Sequence, residues 1–189
     1  MDNPTRSEAS TLESKGLEIS LNPESKDKQK EAFKHLKSLF TIDQIKRFPT
    51  VPDNARFTPA YSDRKTNSLT KCVIDYIRLS GYFVERSGNE GRIIDNREIV
   101  TDCIGRTKTI GSLQRIRSSG TNGTSDLKAI IKGRFVAIEI KCAATHDRIR
   151  PDQQKYKQQI EKSGGIYYIA RDFATFYEWF NNFIREGKQ

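Results

Sequence analysis

Residues 126–142 read DLKAIIKGRFVAIEIKC. Two short runs rich in β-branched and aliphatic residues flank Lys132-Gly133. A two-residue type I′ loop fits there, because glycine accepts the positive φ that this turn requires. Ile131 then faces Arg134 across the hairpin, and the register carries on to Leu127 opposite Ile138. Alternation puts Leu127, Ala129, Ile131, Val136, Ile138 and Ile140 on one face, a coherent core surface. The opposite face receives Asp126, Lys128, Ile130, Phe135, Ala137, Glu139 and Lys141. Asp126 falls directly across from Glu139, with Cβ atoms about 4.5–5.5 Å apart. Lys141 follows two residues later on the same face.

Two carboxylates directly opposite one another repel, which a purely structural hairpin avoids. A divalent cation between them removes the conflict, and hard oxygen ligands suit Mg²⁺, with Mn²⁺ as a substitute. A lysine beside such an ion can activate a water or stabilise a charged transition state. The set Asp126, Glu139 and Lys141 therefore suits metal-dependent hydrolysis of a phosphodiester. The bland alternative is a solvated hairpin face.

Outward from the hairpin the chain reads as a mixed α/β layer, a central sheet flanked by helices. Asn67 to Ser80 places Leu69, Cys72, Val73, Tyr76 and Ile77 at helical spacing. Gly81 closes that helix and YFVER starts a strand. RIID (92–95) and REIV (97–100) are expected to form a hairpin across Asn96. GRTKTIGSLQRIRSSGTNGTS (105–125) is rich in Gly, Ser and Thr and carries Arg106, Lys108, Arg115 and Arg117 with no acid among them. Pro151 suits the first turn of a helix that runs to about Ser163 and stops at Gly164-Gly165. IYYIA is a short strand. Asp172 caps a last helix with Phe173, Phe176, Tyr177, Phe180 and Ile184 in one stripe.

The first 65 residues differ in character. Met1 to about Asp27 is polar and almost free of aromatics, and reads as a mobile arm. A short helix is expected from Lys28 to Phe40. The proline-bearing RFPTVPDNARFTPAYSDRKTNS then reads as an extended linker. The chain is 189 residues long with a net charge of +9, of which residues 1–65 carry +2. The basic surplus therefore belongs mostly to residues 66–189, the expected working domain. Such a surplus favours a polyanionic partner. No apolar run approaches about 18 residues, so no membrane span is expected. MDNPTRSEASTLESK lacks the apolar stretch of a secretory signal. Cys72, Cys103 and Cys142 lie far apart and form no C-x-x-C, so a reducing, cytoplasmic interior is expected.

The stretch SGTNGTSDLKAIIKGRFVAIEIKCAATHDRIRPDQQKYKQQIEKSGGIYYIARDFATFYEWF (119–180) resembles the PD-(D/E)xK nucleases, and most of all the virus-type replication–repair nucleases (VRR-NUC). GTSD, the E-x-K strand, the R-P-D-Q helix start and G-G before an aromatic strand and helix carry the resemblance, which extends over roughly residues 66–187. It implies a restriction-endonuclease-like core. It also implies that Asp126, Glu139 and the backbone carbonyl of Ile140 hold Mg²⁺, that Lys141 serves the attacking water or the transition state, and that Gln153 supports the site. Two departures stand out. Ser125 occupies a position where proline is usual. The helix before the first strand offers Asn67, Ser68 and Thr70 where the family often has a glutamate, its one acid being Asp75 near the middle, so a single-metal site is expected.

The expected activity is endonucleolytic cleavage of DNA, with branched or four-way-junction DNA as the leading substrate and 5′-phosphate and 3′-hydroxyl products. Small stand-alone members resemble junction resolvases, which implies a homodimer. Arg106, Lys108, Arg115, Arg117, Arg148 and Arg150 are the candidate phosphate contacts. His146 lies close in sequence to the site but reads as an ordinary loop histidine. The rival expectation is a catalytically silent, basic nucleic-acid-binding module on the same fold; a basic RNA-associated protein explains the charge but not the opposed acids.

Overall fold

The computed structural model describes residues 23–88, 91–116, 121–145 and 148–186. In chain order its elements are α1 (Pro23–Arg47), α2 (Thr66–Leu79), β1 (Phe83–Arg86), β2 (Arg92–Asp95), β3 (Glu98–Thr101), β4 (Thr107–Ile110), β5 (Leu113–Ile116), β6 (Leu127–Ile131), β7 (Arg134–Ile140), α3 (Pro151–Lys162), β8 (Ile166–Ala170) and α4 (Phe173–Glu186). Short 3₁₀ turns occur at Asp53–Ala55 and Ala143–Thr145.

The hairpin β6–β7 has the register expected from sequence, Leu127 opposite Ile138 and Ile131 opposite Arg134. Its loop is of the I′ kind, with φ of 53° at Lys132 and 73° at Gly133. Strand β1 adds antiparallel to β6, and β8 adds parallel to β7. The parallel connection passes through α3, as parallel neighbours require. The result is a mixed four-stranded sheet in the order β1-β6-β7-β8.

One face of the sheet carries the core. Leu127, Ala129, Ile131, Val136, Ile138 and Ile140 are all buried there, beneath Leu69, Cys72, Val73, Tyr76 and Ile77 of α2 and Phe173, Phe176 and Phe180 of α4. Each large aliphatic or aromatic side chain so enclosed contributes roughly 1.5–3 kcal/mol relative to exposure. The Tyr76 hydroxyl is not left unpaired: it meets Asn181 Oδ1 at 3.1 Å and His35 Nδ1 at 3.3 Å. Helix α3 lies over the other face, its Ile160 against Gly165 and near Phe135.

The first helix is longer than the expected 28–40. It begins at Pro23, inside the stretch read as a mobile arm, and runs to Arg47. An Asp43–Arg47 ion pair at 2.9 Å and a Lys28–Glu178 pair at 2.9 Å add support at its two ends. The change of composition at residue 65 is not a change of core. Ala32 and Leu36 of α1 are fully buried with α2 and α4, and Phe33 stacks on Phe173 with ring centroids 5.1 Å apart. The proline-bearing segment is mostly without regular structure, yet it delivers Asp63 into the fold. The Asp63 carboxylate accepts from Gln29 Nε2 at 2.8 and 3.0 Å and from the Phe173 backbone N–H at 3.1 Å, where it faces the positive end of α4.

The expected hairpin of RIID with REIV does not form. Arg92–Asp95 pairs with Leu113–Ile116, and Glu98–Thr101 pairs with Thr107–Ile110. A single residue, Asn96, separates the two runs, too short a link for antiparallel reversal when two residues is the common minimum. The chain instead reverses at residues 102–106. There Asp102 N–H donates to the Arg106 carbonyl at 2.9 Å, and Asp102 Oδ1 accepts from the N–H groups of Ile104 and Arg106. The Gly/Ser/Thr-rich stretch thus supplies two strands, and residues 92–116 make one long ribbon. Among the described residues no helix is long and apolar enough to cross a membrane.

Candidate active site

β7 is an interior strand; Glu139 pairs with Ile169 of β8 just beyond the last β6–β7 pair, and its side chain is 1 % exposed. An acid in such a place needs partners. Lys141 Nζ lies 3.0 Å from Glu139 Oε1, and Lys141 is itself buried. Tyr167 of β8 directs its hydroxyl to Glu139 Oε2 at 3.4 Å. Gln153 of α3 donates from Nε2 to Glu139 Oε1.

Asp126 stands one residue before β6. Its backbone carbonyl accepts the Ser87 N–H at 2.8 Å, which continues the β1–β6 ladder to the site. Its carboxylate Oδ2 accepts the backbone N–H of Ile140 at 2.9 Å. The β6–β7 register ends at Leu127 opposite Ile138, and Asp126 and Glu139 are the residues that follow it on the two chains, close enough for the charge of Asp126 to act on Glu139. Burial pushes the Glu139 carboxyl above the ordinary glutamate range, and the charge of Asp126 pushes the same way; Lys141 and Tyr167 act in the opposite sense.

The first turn of α3 positions Gln153. Pro151 occupies the first helical position, and Gln153 Oε1 accepts the Arg150 backbone N–H at 2.9 Å. This is the reach-back of a third-position glutamine in a capping box. One side-chain amide therefore caps the helix and holds the Glu139 carboxylate. Gln154, its neighbour, is exposed. The loop that carries Asp126 lies against the same turn. Gly123 has φ +76°, and a Cβ there would fall 2.3 Å from the Asp152 carbonyl oxygen, so only glycine permits the approach. Ser125, in the position where proline was the expected type, is fully buried and donates from Oγ to the Leu127 carbonyl at 3.0 Å.

Asp126, Glu139, Lys141 and Gln153 are thus brought together. Arg148 and Arg150 are exposed on the approach to α3. Arg106, Lys108 and Arg115 are exposed on the ribbon, away from the acid pair's hydrogen bonds, and Arg117 and His146 lie outside the described residues. Asp75, the lone acid of α2, accepts from the Tyr61 hydroxyl at 3.0 Å. Three contributors were missed by reading the sequence. For Tyr167 burial on a short strand was favoured over base stacking, and Gly123 was read only as part of GTSD, without its approach to α3. Glu85 shares the sheet face opposite the core with Asp126 because it pairs with Lys128, a relation visible only once β1 is known to join β6.

Among the described residues no group of three or more His, Cys, Asp and Glu side chains could hold a metal ion. Two carboxylates with a backbone carbonyl are nevertheless a suitable donor set for Mg²⁺, which commonly takes one or two carboxylates and fills its remaining positions with water and substrate phosphate. No family model matches the chain, and no curated protein matches it.

Proposed function

We propose that this chain is a metal-dependent DNA endonuclease with a restriction-endonuclease-like core of the VRR-NUC kind. The observation that carries this reading is the convergence of Lys141, Gln153 and Tyr167 on a buried Glu139 that faces Asp126. A hairpin built only for stability has no reason to oppose two acids and then gather donors around one of them.

Asp126, Glu139 and the Ile140 carbonyl are the residues that would hold Mg²⁺ or Mn²⁺. Such an ion supplies charge neutralisation at the scissile phosphate and a more acidic bound water. Lys141 orients the attacking water and stabilises the added negative charge in the transition state. Gln153 and Tyr167 fix the Glu139 carboxylate, as partners behind a metal ligand do. Arg148 and Arg150 offer phosphate contacts beside the site. Branched DNA is the proposed substrate, and cutting both of its strands calls for two copies of the chain.

Cleavage of a labelled four-way junction, a 5′ flap and linear duplex, each with Mg²⁺, Mn²⁺ or EDTA, tests the reading. Metal-dependent nicks that vanish in Glu139→Ala are expected. The engagement of Asp75 with Tyr61 favours a second reading, a DNA-binding module that has kept the fold without the chemistry. Equal binding with and without Mg²⁺, and no scission under any metal condition, would select it.

A further inference from the structure

Among the described residues every buried side-chain nitrogen and oxygen has a hydrogen-bond partner except one, the hydroxyl of Ser87. Native folds leave few such groups, and each calls for a reason, because an unmet buried hydroxyl lowers stability. The place of this exception is informative. Ser87 follows directly on β1, whose register sets Glu85 opposite Lys128 and Arg86 opposite Leu127. Ser87 therefore comes opposite Asp126, and its backbone N–H donates to the Asp126 carbonyl at 2.8 Å. Residues opposite one another in a ladder share a face, here the face turned away from the core. Asp126 Oδ2 is already taken by the Ile140 N–H at 2.9 Å, and the Ser87 hydroxyl makes no direct bond to that carboxylate. Facing Cβ atoms lie about 4.5–5.5 Å apart, which leaves the span of one bridging water between a short hydroxyl and a carboxylate.

We propose that Ser87 is a positioning residue of the cation site, its hydroxyl holding a water on the ion that Asp126 ligates. This rests on the metal reading given above for Asp126 and Glu139. Mg²⁺ dehydrates reluctantly and, held by one or two carboxylates, keeps several waters. Those waters donate hydrogen bonds and need acceptors in the wall of the site. A serine hydroxyl offers two lone pairs and adds no charge to a pair of acids that already repel. Glu85 is the other polar residue of β1 on this face, but it is exposed and stands opposite Lys128, so it has no unmet need. The orphaned hydroxyl thus has a distinct energetic signature. Without the ion it detracts from stability, and with the ion it contributes. A hydroxyl that serves structure alone contributes in both states.

The test is a Mn²⁺ titration of the full chain without DNA, read from the electron paramagnetic resonance signal of the free ion, with thermal melts of the metal-free protein alongside. Ser87→Ala should bind Mn²⁺ about tenfold more weakly than wild type, the low end of what losing outer support costs a metal site. Its metal-free melting temperature should equal or exceed that of wild type, because the unmet hydroxyl is gone. Ser87→Thr keeps the hydroxyl and suits the end of a strand, so it should restore wild-type affinity. Asp126→Ala should lose the ion and separates the remaining outcomes. Wild-type affinity in Ser87→Ala, with loss in Asp126→Ala, overturns this inference and leaves the metal reading standing. A lower metal-free melting temperature with unchanged affinity identifies a structural hydroxyl and overturns it as well. No Mn²⁺ uptake by wild type overturns the metal reading and this inference with it.

Discussion

Asp126 Oδ2 accepts the backbone N–H of Ile140 at 2.9 Å, so the first acid of the site is fastened to the strand that carries the second. That bond fixes the position of one carboxylate oxygen and leaves Oδ1 for other duties. Asp126→Ala should leave the Ile140 N–H unpaired and cost about 1–3 kcal/mol. Asp126→Asn keeps an acceptor and removes a like charge, so its metal-free stability should equal or exceed that of wild type. Thermal melts with and without Mg²⁺ check both points. Wild type should gain stability from the ion by mass action and neither variant should. An equal Mg²⁺ response in Asp126→Asn would remove Asp126 from the proposed metal-binding set.

Glu139 holds its proton to a higher pH than a free glutamate, chiefly through burial and then through the charge of Asp126. A carboxyl raised in the folded state contributes stability below the ordinary glutamate range, near pH 4.3, and loses it as pH rises through the raised range. Glu139→Gln is neutral throughout and does not titrate. The unfolding free energy of the variant minus that of wild type, both metal-free, should therefore increase from about pH 4 toward neutrality. Urea unfolding at a series of pH values measures that difference. A flat difference would mean that Glu139 ionises as freely in the fold as in the unfolded chain.

The exposed Gln154 and the inward Gln153 make a paired test. Gln153→Ala removes both the hydrogen bond to Glu139 and the reach-back to Arg150. Loss of a residue that supports a metal ligand typically costs about 10–100-fold in activity or metal affinity. Gln154→Ala should stay within about twofold of wild type, as a surface change usually does. Mg²⁺ titrations of cleavage separate the cases, and similar losses in the two variants would count against a role for Gln153.

The residues of the acid pair were legible because the pattern was local. Alternation over residues 127–140 and a glycine that suits a type I′ loop are enough to put Asp126 across from Glu139. The helix stripes of α2 and α4 were legible for the same reason. Non-local pairing was not. That β1 joins β6 and so puts Glu85 on the site face depends on partners more than forty residues apart in the chain. The ribbon was misread because Asn96 resembles a turn residue, whereas the reversal lies at Asp102–Arg106 and the Gly/Ser/Thr-rich run after it pairs as strand. In α1 the apolar side of Phe33, Leu36 and Phe40 was legible, and Leu36 is fully buried with Phe33 packed on the core; the ends were cut short because residues 23–27 are polar and Ile42 and Ile45 beyond Phe40 stay exposed.

Gly123 bridges fold and site. Its φ of +76° and the 2.3 Å approach that a Cβ would make to the Asp152 carbonyl mean that Gly123→Ala must push the 121–126 loop off α3. Strain of this kind costs roughly 1–3 kcal/mol. The shift also separates Asp126 from the helix that carries Gln153, so cleavage should fall by more than the loss of stability explains. Comparing activity well below the melting temperature with the unfolding free energy separates the two effects. A variant with wild-type activity would show that the loop can move without disturbing the acids.

Lys132 has φ 53° at the first position of the hairpin loop, where a residue with a Cβ is strained and asparagine is far better tolerated. Lys132→Asn should therefore stabilise the protein by roughly 0.5–1 kcal/mol. Gly133, at φ 73°, should behave oppositely, and Gly133→Val should be markedly destabilising. The loop also sets the register, and a slip of one residue would turn Glu139 toward the core and Ile138 toward the site. Cleavage at a temperature where both variants are folded should accordingly be unchanged in Lys132→Asn and reduced in Gly133→Val. Full activity in a folded Gly133→Val would mean that the register is held by the core residues of β6 and β7 without help from the turn.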